Sequence, residues 1–576
     1  MFASRSVSAR QGLAAQRFLS TSRAVPNYAT YRVHQLGNHK LPEITNEPNP
    51  TYAPNSPERE KLMQAVEELR SQSPQHVPLI INGKEVKTGN VERQFMPSEH
   101  SKVLCTYENA GPEHVEEAIE GALAAKSSWE NLPIYDRQAI FLRAADLLSQ
   151  KYRYKAMAAT MLGQGKNIWQ AEIDAAAETC DFLRYNVKFS EEVYSSQPAA
   201  NSRGIWNRVE HRPLEGFVYA VSPFNFTAIG ANLATAPALM GNTVVWKPAP
   251  AATLSNYVIY QILQEAGLPD GVIQFIPGPA AEITRKIFDH PEFSSLHFTG
   301  STKVFKDLWK EISNNLDKYR GYPRIVGETG GKNFHLLHKS ADVTNAVNQS
   351  VRAAFEFQGQ KCSALSRLYV PDNLWPQFKK EFVEKVNSIK VGNITDPSNF
   401  MGPVINKLAF DKITGYIEHA RNAPECEIIA GGKYDESTGY FIQPTVVETK
   451  DPFTKTMKEE IFGPVVTAYV YPAEDFDGAI ELANSTASYG LTGAIFSQDR
   501  NAAVYATSKL THAAGNFYVN DKCTGAVVGQ QSFGGARASG TNDKGGSANL
   551  LHRFVSPRSI KENFIPLEDF NYPSNQ

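Results

Sequence analysis

Cysteine is scarce in this sequence: five in 576 residues, with no Cys-x-x-Cys pair. That argues against a disulfide framework or a cysteine zinc site, so the thiols are expected to be reduced and no metal is expected. Charge of either sign is not in excess, since 58 Lys and Arg face 60 Asp and Glu for a formal net charge of −2. Nucleic-acid binders concentrate basic charge, so that class is set aside. No Gly-x-Gly-x-x-Gly follows the first strand of the alternating region, and Gly327-Glu-Thr-Gly-Gly-Lys332 is followed by Asn333, not by the Ser or Thr of a phosphate loop. Generic nucleotide fingerprints are thus missing.

Two other absences are local. No acidic residue precedes Glu43, while Arg5, Arg10, Arg17 and Arg23 recur among serines, alanines and spaced apolar residues. This is the composition of a mitochondrial transit peptide over residues 1–33, and the mature protein is expected in the mitochondrial matrix. No charged residue lies between Glu215 and Lys247, a stretch long enough to span a bilayer as one helix. Pro223, Asn225, Asn232, Pro237 and Asn242 interrupt it, so it reads instead as buried strand, helix and strand of a parallel sheet. No membrane association is expected.

With 42% hydrophobic and 20% charged residues the chain has the composition of a globular protein, too long for a single core. Leu41 to Asn55 is proline-rich and reads as an extended surface arm; Ser56-Pro57 then caps a helix, and Asn82-Gly83 turns a hairpin. Helical patterns run from Pro112 to Ser196 and include Gln170 to Glu178. Strands and helices then alternate: strands at 217–221, 243–246, 272–276, 295–298 and up to Glu328, helices at 227–240, 254–266, 280–288 and 303–316. Such alternation is what an α/β doubly wound, mostly parallel sheet with helices on both faces requires.

Three places on this frame carry chemistry. Phe355 to Arg367 begins as the end of a helix, breaks at Gly359 and delivers Cys362 beside Lys361. A thiol reacts as thiolate, which a nearby cation or backbone N–H groups favour. Glu328 ends an apolar strand among glycines, where an acid/base group of an open sheet is commonly found. Asn225 sits between a strand and a helix, with an amide able to donate to a developing oxyanion.

In this order, with Glu328 and Cys362 separated by 362 − 328 = 34 positions, these pieces resemble the aldehyde dehydrogenase superfamily, as do Trp246-Lys-Pro248, Phe298-Thr-Gly-Ser301, Glu459-Glu-Ile-Phe-Gly-Pro464 and Phe533-Gly-Gly535. The resemblance implies a variant Rossmann NAD-binding domain, an α/β catalytic domain and a β-hairpin oligomerisation arm. The implied boundaries are 34–195 for an N-terminal arm and the first part of the NAD-binding domain, 196–214 for the oligomerisation hairpin and 215–329 for the rest of the NAD-binding domain. Residues 330–521 form the catalytic domain, 522–555 the substrate-anchor loop and the return to the NAD-binding domain, and 556–576 a C-terminal oligomerisation arm. A homodimer or higher homo-oligomer follows from that arm. By resemblance Cys362 is the nucleophile, Glu328 the general base and Asn225 an oxyanion donor. NAD contacts fall on Ser222, Pro223, Phe224, Lys247, Pro248, Gly278, Phe298, Thr299, Gly300, Ser301, Glu328, Glu460 and Phe462. Pro250 stands where the family often has a glutamate that binds the ribose hydroxyls. The preference for NAD over NADP therefore rests on the subfamily.

Denser runs, among them Ala171-Glu-Ile-Asp-Ala-Ala-Ala-Glu178, Ser222-Pro-Phe-Asn-Phe-Thr-Ala-Ile-Gly230 and Phe533-Gly-Gly-Ala-Arg-Ala-Ser-Gly-Thr-Asn-Asp543, are most similar to the Δ1-pyrroline-5-carboxylate dehydrogenase subfamily. The implied reaction is NAD-dependent oxidation of L-glutamate γ-semialdehyde to L-glutamate in proline degradation; another carboxylated aldehyde such as succinate semialdehyde is the alternative substrate. Ser363, Gly525 and Ala526 would hold the substrate carboxylate, Phe226 and Phe533 would flank its aliphatic part, and Glu178 would lie near its amino end. Ala526 replaces a serine common in relatives, which removes one hydrogen bond to a charged group, worth about 1.5–3 kcal/mol if nothing replaces it.

Overall fold

The computed structural model describes residues 40–576, so the expected leader at 1–33 lies outside the described residues. Ser56 caps the helix Pro57–Ser71 with its hydroxyl accepting from the Arg59 N–H, and Pro57 fills the first helical position. Asn82 and Gly83 take φ values of 53° and 73° between the strands Leu79–Ile81 and Lys84–Val86. Positive φ at both central residues gives the two-residue turn its twist.

One seven-stranded sheet runs in the order Arg324–Glu328, Phe293–Thr299, Phe217–Val221, Val244–Lys247, Ile273–Phe275, Leu79–Ile81, Lys84–Val86. Its first five strands are parallel and the last two pair antiparallel at the edge. The chain enters at Phe217–Val221, builds outward through Val244–Lys247 and Ile273–Phe275, then returns to the other side with Phe293–Thr299. The order therefore reverses between Phe217–Val221 and Phe293–Thr299, and in a doubly wound sheet the crevice beyond such a reversal is where ligands bind. Ser222 to Asn225 and Gly300-Ser301 leave these two strands there.

The uncharged stretch is buried as expected, with Tyr219 and Trp246 sealed in the core. Its interior amide Asn242 is satisfied on both sides: Leu214 N–H donates to Oδ1 at 2.9 Å, and Nδ2 donates to the Pro237 and Phe554 carbonyls at 2.9 Å each. No helix among the described residues is long and apolar enough to cross a membrane.

A second seven-stranded sheet has the order Cys426–Ala430, Thr445–Thr449, Val465–Tyr471, Leu365–Pro371, Asn333–Leu337, Thr492–Phe496, Asn516–Val519 and is parallel apart from its first edge strand. The link from one sheet to the other is only Thr329 to Lys332, between the end of Arg324–Glu328 and the start of Asn333–Leu337. Glu328 closes one sheet as Asn333 opens the next.

The proline-rich arm is extended and largely exposed, as expected, and two buried side chains pin it: Arg153 and Arg184 each donate to Glu47 at 2.6 Å, and the Tyr52 hydroxyl donates to Glu172 at 2.6 Å. Composition showed the lack of helix and strand but not these distant partners. Two expectations need correction. The helical pattern through Glu178 is not uniform; the α-helix Ile168–Ala171 widens into a π-helix over Glu172–Glu178. And the segment 196–214 makes no hairpin of its own. It supplies one strand, Ile205–Pro213, whose antiparallel partner is the C-terminal strand Val555–Asn563. A local turn signal could not reveal a partner so remote in sequence.

Candidate active site

The helix Val343–Phe355 leads into three consecutive left-handed residues, Phe357, Gln358 and Gly359, with φ of 51°, 56° and 66°. Only glycine adopts this region freely, so the first two must be held by their surroundings. Gln358 is buried and its Nε2 donates to the Gly165 carbonyl at 2.9 Å and the Pro403 carbonyl at 2.6 Å. Gly359 passes so close to Gly463 that a Cβ would fall 2.3 Å from its carbonyl oxygen. The turn throws Cys362 out ahead of the strand Leu365–Pro371. Its backbone is fixed from the other sheet strand: Asn333 Nδ2 donates to the Cys362 carbonyl at 2.7 Å and the Ala364 carbonyl at 2.8 Å. Cys105, Cys180 and Cys523 are buried, whereas Cys362 is half-buried.

Lys361 does not serve the thiol as its neighbouring position suggested. Its ammonium donates to Glu356 at 2.9 Å in a buried pair, and Arg352 donates to the other oxygen of the same carboxylate at 2.9 Å. Burial pushes the Glu356 carboxyl up, but Lys361 outweighs it and holds the group at about 2. The cation is thus taken up by Glu356. Burial, with the charges of Glu328 and Glu460 adding, pushes the Cys362 thiol up to about 12, against the N–H groups of Ser363 and Cys362 that pull it down.

Glu328 ends its strand with its carbonyl accepting from the Gly300 N–H at 3.2 Å. The Gly535 N–H donates to its carboxyl at 3.3 Å, and a Cβ on Gly534 would fall 2.8 Å from Oε1, so the Phe533-Gly-Gly535 glycines are what lets that loop close over it. Burial holds this carboxyl well above the usual range, opposed by the Gly535 N–H and the Lys544 ammonium. Asn225 is buried, and its Nδ2 donates to the Gln360 carbonyl at 3.1 Å, two residues before Cys362. Asn225, Cys362 and Glu328 are therefore gathered where the two sheets meet.

Around the reversal of strand order, Ser222 N–H donates to the Lys247 carbonyl and Trp246 Nε1 donates to the Ser222 hydroxyl at 2.6 Å. Lys247 is buried with one acceptor, the Pro248 carbonyl at 3.1 Å, and burial pulls its ammonium down to about 8. Gly278, at φ 149°, brings its backbone so close to Ala110 that a Cβ would lie 2.9 Å from the Ala110 nitrogen. Phe298 stacks on Phe305 at 5.5 Å, Thr299 pairs with Glu328 of the edge strand, and Ser301 caps the helix Thr302–Asn314, accepting from Val304 N–H. Glu460 accepts from the Gly331 N–H at 2.9 Å, and Phe462, itself left-handed at φ 61°, meets Phe224 edge-on at 5.9 Å beside Pro223.

On the thiol side the Ser363 and Thr524 hydroxyls are 2.7 Å apart. Gly525, at φ 90°, and Ala526 follow, and among the described residues neither N–H donates to another protein group. Phe533 is half-buried and bridges to Gly545. Burial and the Asp174 charge push the Glu178 carboxyl up to about 8. Phe226 lies under the Lys166 ammonium at 3.9 Å.

Lys166, Asp174, Asn333, Gln358 and Lys544 went unnoticed in the sequence. Asp174, Asn333, Gln358 and Lys544 act on backbone groups elsewhere in the chain, while Lys166, in the loop between two helices, meets Asp174 and the rings of Phe226 and Phe357; no periodicity or spacing marks them.

Residues 86–560 match the family described as the aldehyde dehydrogenase family. A Delta-1-pyrroline-5-carboxylate dehydrogenase of Agaricus bisporus is 62% identical over 94% of this chain and 99% of that protein. A Homo sapiens protein named Delta-1-pyrroline-5-carboxylate dehydrogenase, mitochondrial, is 49% identical over 92% of this chain and 94% of its own. Among solved structures, the Mycobacterium tuberculosis Delta-pyrroline-5-carboxylate dehydrogenase bound with NAD is similar with a TM-score of 0.90 at 45% identity, covering 94% of this chain and 99% of that one. On the family match and these full-length relatives together, the chain belongs to the aldehyde dehydrogenase family.

Proposed function

We propose that this protein is the NAD-dependent L-glutamate γ-semialdehyde dehydrogenase of proline degradation, acting on the aldehyde in equilibrium with Δ1-pyrroline-5-carboxylate. The observation that carries the reading is the full-length likeness to relatives of that name, 62% identical over 94% of the chain. The site supports it. Ser363 directly follows Cys362 and is hydrogen-bonded to Thr524, which precedes Gly525 and Ala526, whose N–H groups would be offered to a carboxylate.

In the reaction the Cys362 thiolate attacks the aldehyde carbon, forming the S–C bond while the carbonyl electrons move to oxygen. The Asn225 amide and the Cys362 N–H donate to that oxyanion. Loss of hydride from the same carbon leaves a thioester. Glu328 takes a proton from water as the water attacks it, the S–C bond breaks, and L-glutamate leaves. Burial raises this carboxyl well above the usual range, which makes its ionised form a stronger base. When bound, NAD+ supplies the hydride acceptor. The residues present fit it: Lys247 is a buried ammonium with one acceptor among the described residues, leaving donors for ribose hydroxyls, and Glu460 offers a carboxylate for the second ribose. Pro250 contributes no discrimination against a 2′-phosphate.

We further propose a homo-oligomer and a matrix location. The two-stranded ribbon of Ile205–Pro213 and Val555–Asn563 runs into a tail whose Phe564, Leu567, Phe570 and Tyr572 are 62%, 81%, 84% and 72% exposed, apolar surface suited to a second copy of the chain. Relatives from several organisms carry the word mitochondrial in their names.

Four outcomes are expected. Thiolate fraction rises with pH while pH is below the thiol pKa, so a Cys362 held near 12 should be alkylated by iodoacetamide about tenfold faster per pH unit between 7 and 9 in the cofactor-free protein. A rate that levels off near pH 7, read by peptide mapping, would mean an already activated thiol. The kcat/KM for glutamate semialdehyde should exceed that for succinate semialdehyde and simple aliphatic aldehydes by at least about 100-fold, because a site built to hydrogen-bond the substrate's carboxylate, with the buried Ser363 and Thr524 hydroxyls at its base, loses those bonds when the group is missing or misplaced; equal values would leave only the general aldehyde dehydrogenase activity. Sedimentation equilibrium should show a dimer or larger species that shifts toward monomer when 564–576 are deleted, and a monomeric parent would sink the oligomer. Residues 1–33 fused to a reporter should carry it into mitochondria, while glutamine at Arg5, Arg10, Arg17 and Arg23 should leave it in the cytosol; a reporter that stays cytosolic with all four arginines removes the leader.

A further inference from the structure

We propose that the buried Lys166–Asp174 pair is a clamp that positions both halves of the catalytic site, the Asn225 amide on one side and the Cys362 turn on the other. The inference rests on the roles given above to Asn225 and Cys362. The helix Thr227–Leu239 directly follows Asn225 and Phe226, and its N-cap is Phe226, which has no side-chain group to accept from the first helical N–H groups. Left unpaired in a buried site, those donors would be costly. Asp174, brought across on the π-helix Glu172–Glu178, takes the place of a capping residue: its Oδ2 accepts from Thr227 N–H at 3.0 Å and its Oδ1 from Ala228 N–H at 2.8 Å.

The same carboxylate is 2.7 Å from the Lys166 ammonium, and neither side chain is exposed at all. That ammonium lies 3.9 Å from the centre of the Phe226 ring and 4.5 Å from that of Phe357. Phe226 is the neighbour of Asn225. Phe357 is the first residue of the left-handed turn that presents Cys362, and the second, Gln358, donates to the carbonyl of Gly165, the residue before Lys166. One cation therefore presses on the strained turn and on the oxyanion donor's strand-to-helix corner at once. Glu178 and Lys361 are the other charges facing it, and Lys361 is already paired with Glu356. A π-helix, uncommon in itself and frequent at functional sites, is what carries Asp174 to this position.

A merely structural pair would cost stability and leave turnover per folded site unchanged; a clamp would cost kcat. The variants are Lys166→Met, Asp174→Asn and the two combined, the last carrying no unbalanced buried charge and so folding even if a single variant does not. Each is compared with the parent by thermal unfolding, by NAD+ binding through fluorescence titration to count folded sites, and by steady-state kinetics. Per NAD+-binding site, kcat for glutamate semialdehyde should fall about 100-fold in all three, with KM and the NAD+ Kd within about threefold, since a misplacement of about 1 Å at reacting groups costs that much. The proposal is overturned if the combined variant keeps kcat within about threefold of the parent, or if activity falls only in step with the loss of NAD+-binding sites. Should the parent itself prefer another aldehyde, the substrate reading fails, and the same comparison made with that aldehyde still tests the clamp.

Discussion

Asn333 holds the active site together. It is the first residue of the strand that opens the second sheet, and its amide reaches sideways to the carbonyls of Cys362 and Ala364 while its oxygen accepts from Thr492 N–H at 3.0 Å. One side chain thus ties the thiol's own backbone to the two strands on either side of it. Because only four residues separate Asn333 from Glu328, fixing Asn333 also fixes how far the base stands from the thiol. The glycines of that link serve the same end: a Cβ on Gly331 would fall 2.3 Å from the Cys362 carbonyl, and one on Gly330 would strike the Glu460 carboxylate at 2.4 Å. At Gly331 glycine is required by proximity to that backbone carbonyl, whereas at Gly330 a side chain would displace the movable end of Glu460.

Much of this arrangement was legible before the fold was known, and the reason is that the chemistry sits on short stretches. Strand, turn and helix around Ser222 to Thr227, the strand ending at Glu328 and the helix Ala280–Phe288 all follow from apolar runs bounded by Gly, Pro and Asn. What stayed hidden depends on pairs distant in the chain. Lys361 is adjacent to Cys362, and adjacency suggested electrostatic help, yet successive side chains leave a turn in different directions and the ammonium meets Glu356 instead. Ile205–Pro213 looked like half of a local hairpin, but its complement is Val555–Asn563. Asp174 read as one more polar helical residue, because its partners at Thr227 and Ala228 lie more than fifty residues away. Local pattern shows which residues could react; only tertiary structure shows what holds them.

The electrostatics of the resting site follow from crowding like charges into a poorly solvated space. Burial is the largest cause disfavouring a Cys362 thiolate, and negative charge on Glu328 and Glu460 adds to it. At low effective dielectric such repulsion is several kcal/mol at contact distances, far more than in water. The site answers by withholding protons from release rather than by adding a cation, since the nearest lysine is already paired with Glu356. Attack on an aldehyde then does not create charge but moves it, from sulfur to the carbonyl oxygen, and therefore away from the two carboxylates and toward the Asn225 amide. That amide is preset by its bond to the Gln360 carbonyl and needs no reorganisation. A thiol that burial disfavours as thiolate is thus compatible with catalysis, provided the donors awaiting the oxyanion are rigid, and the rigidity of those donors is the property to which Asn333 and the left-handed turn at Phe357 both contribute.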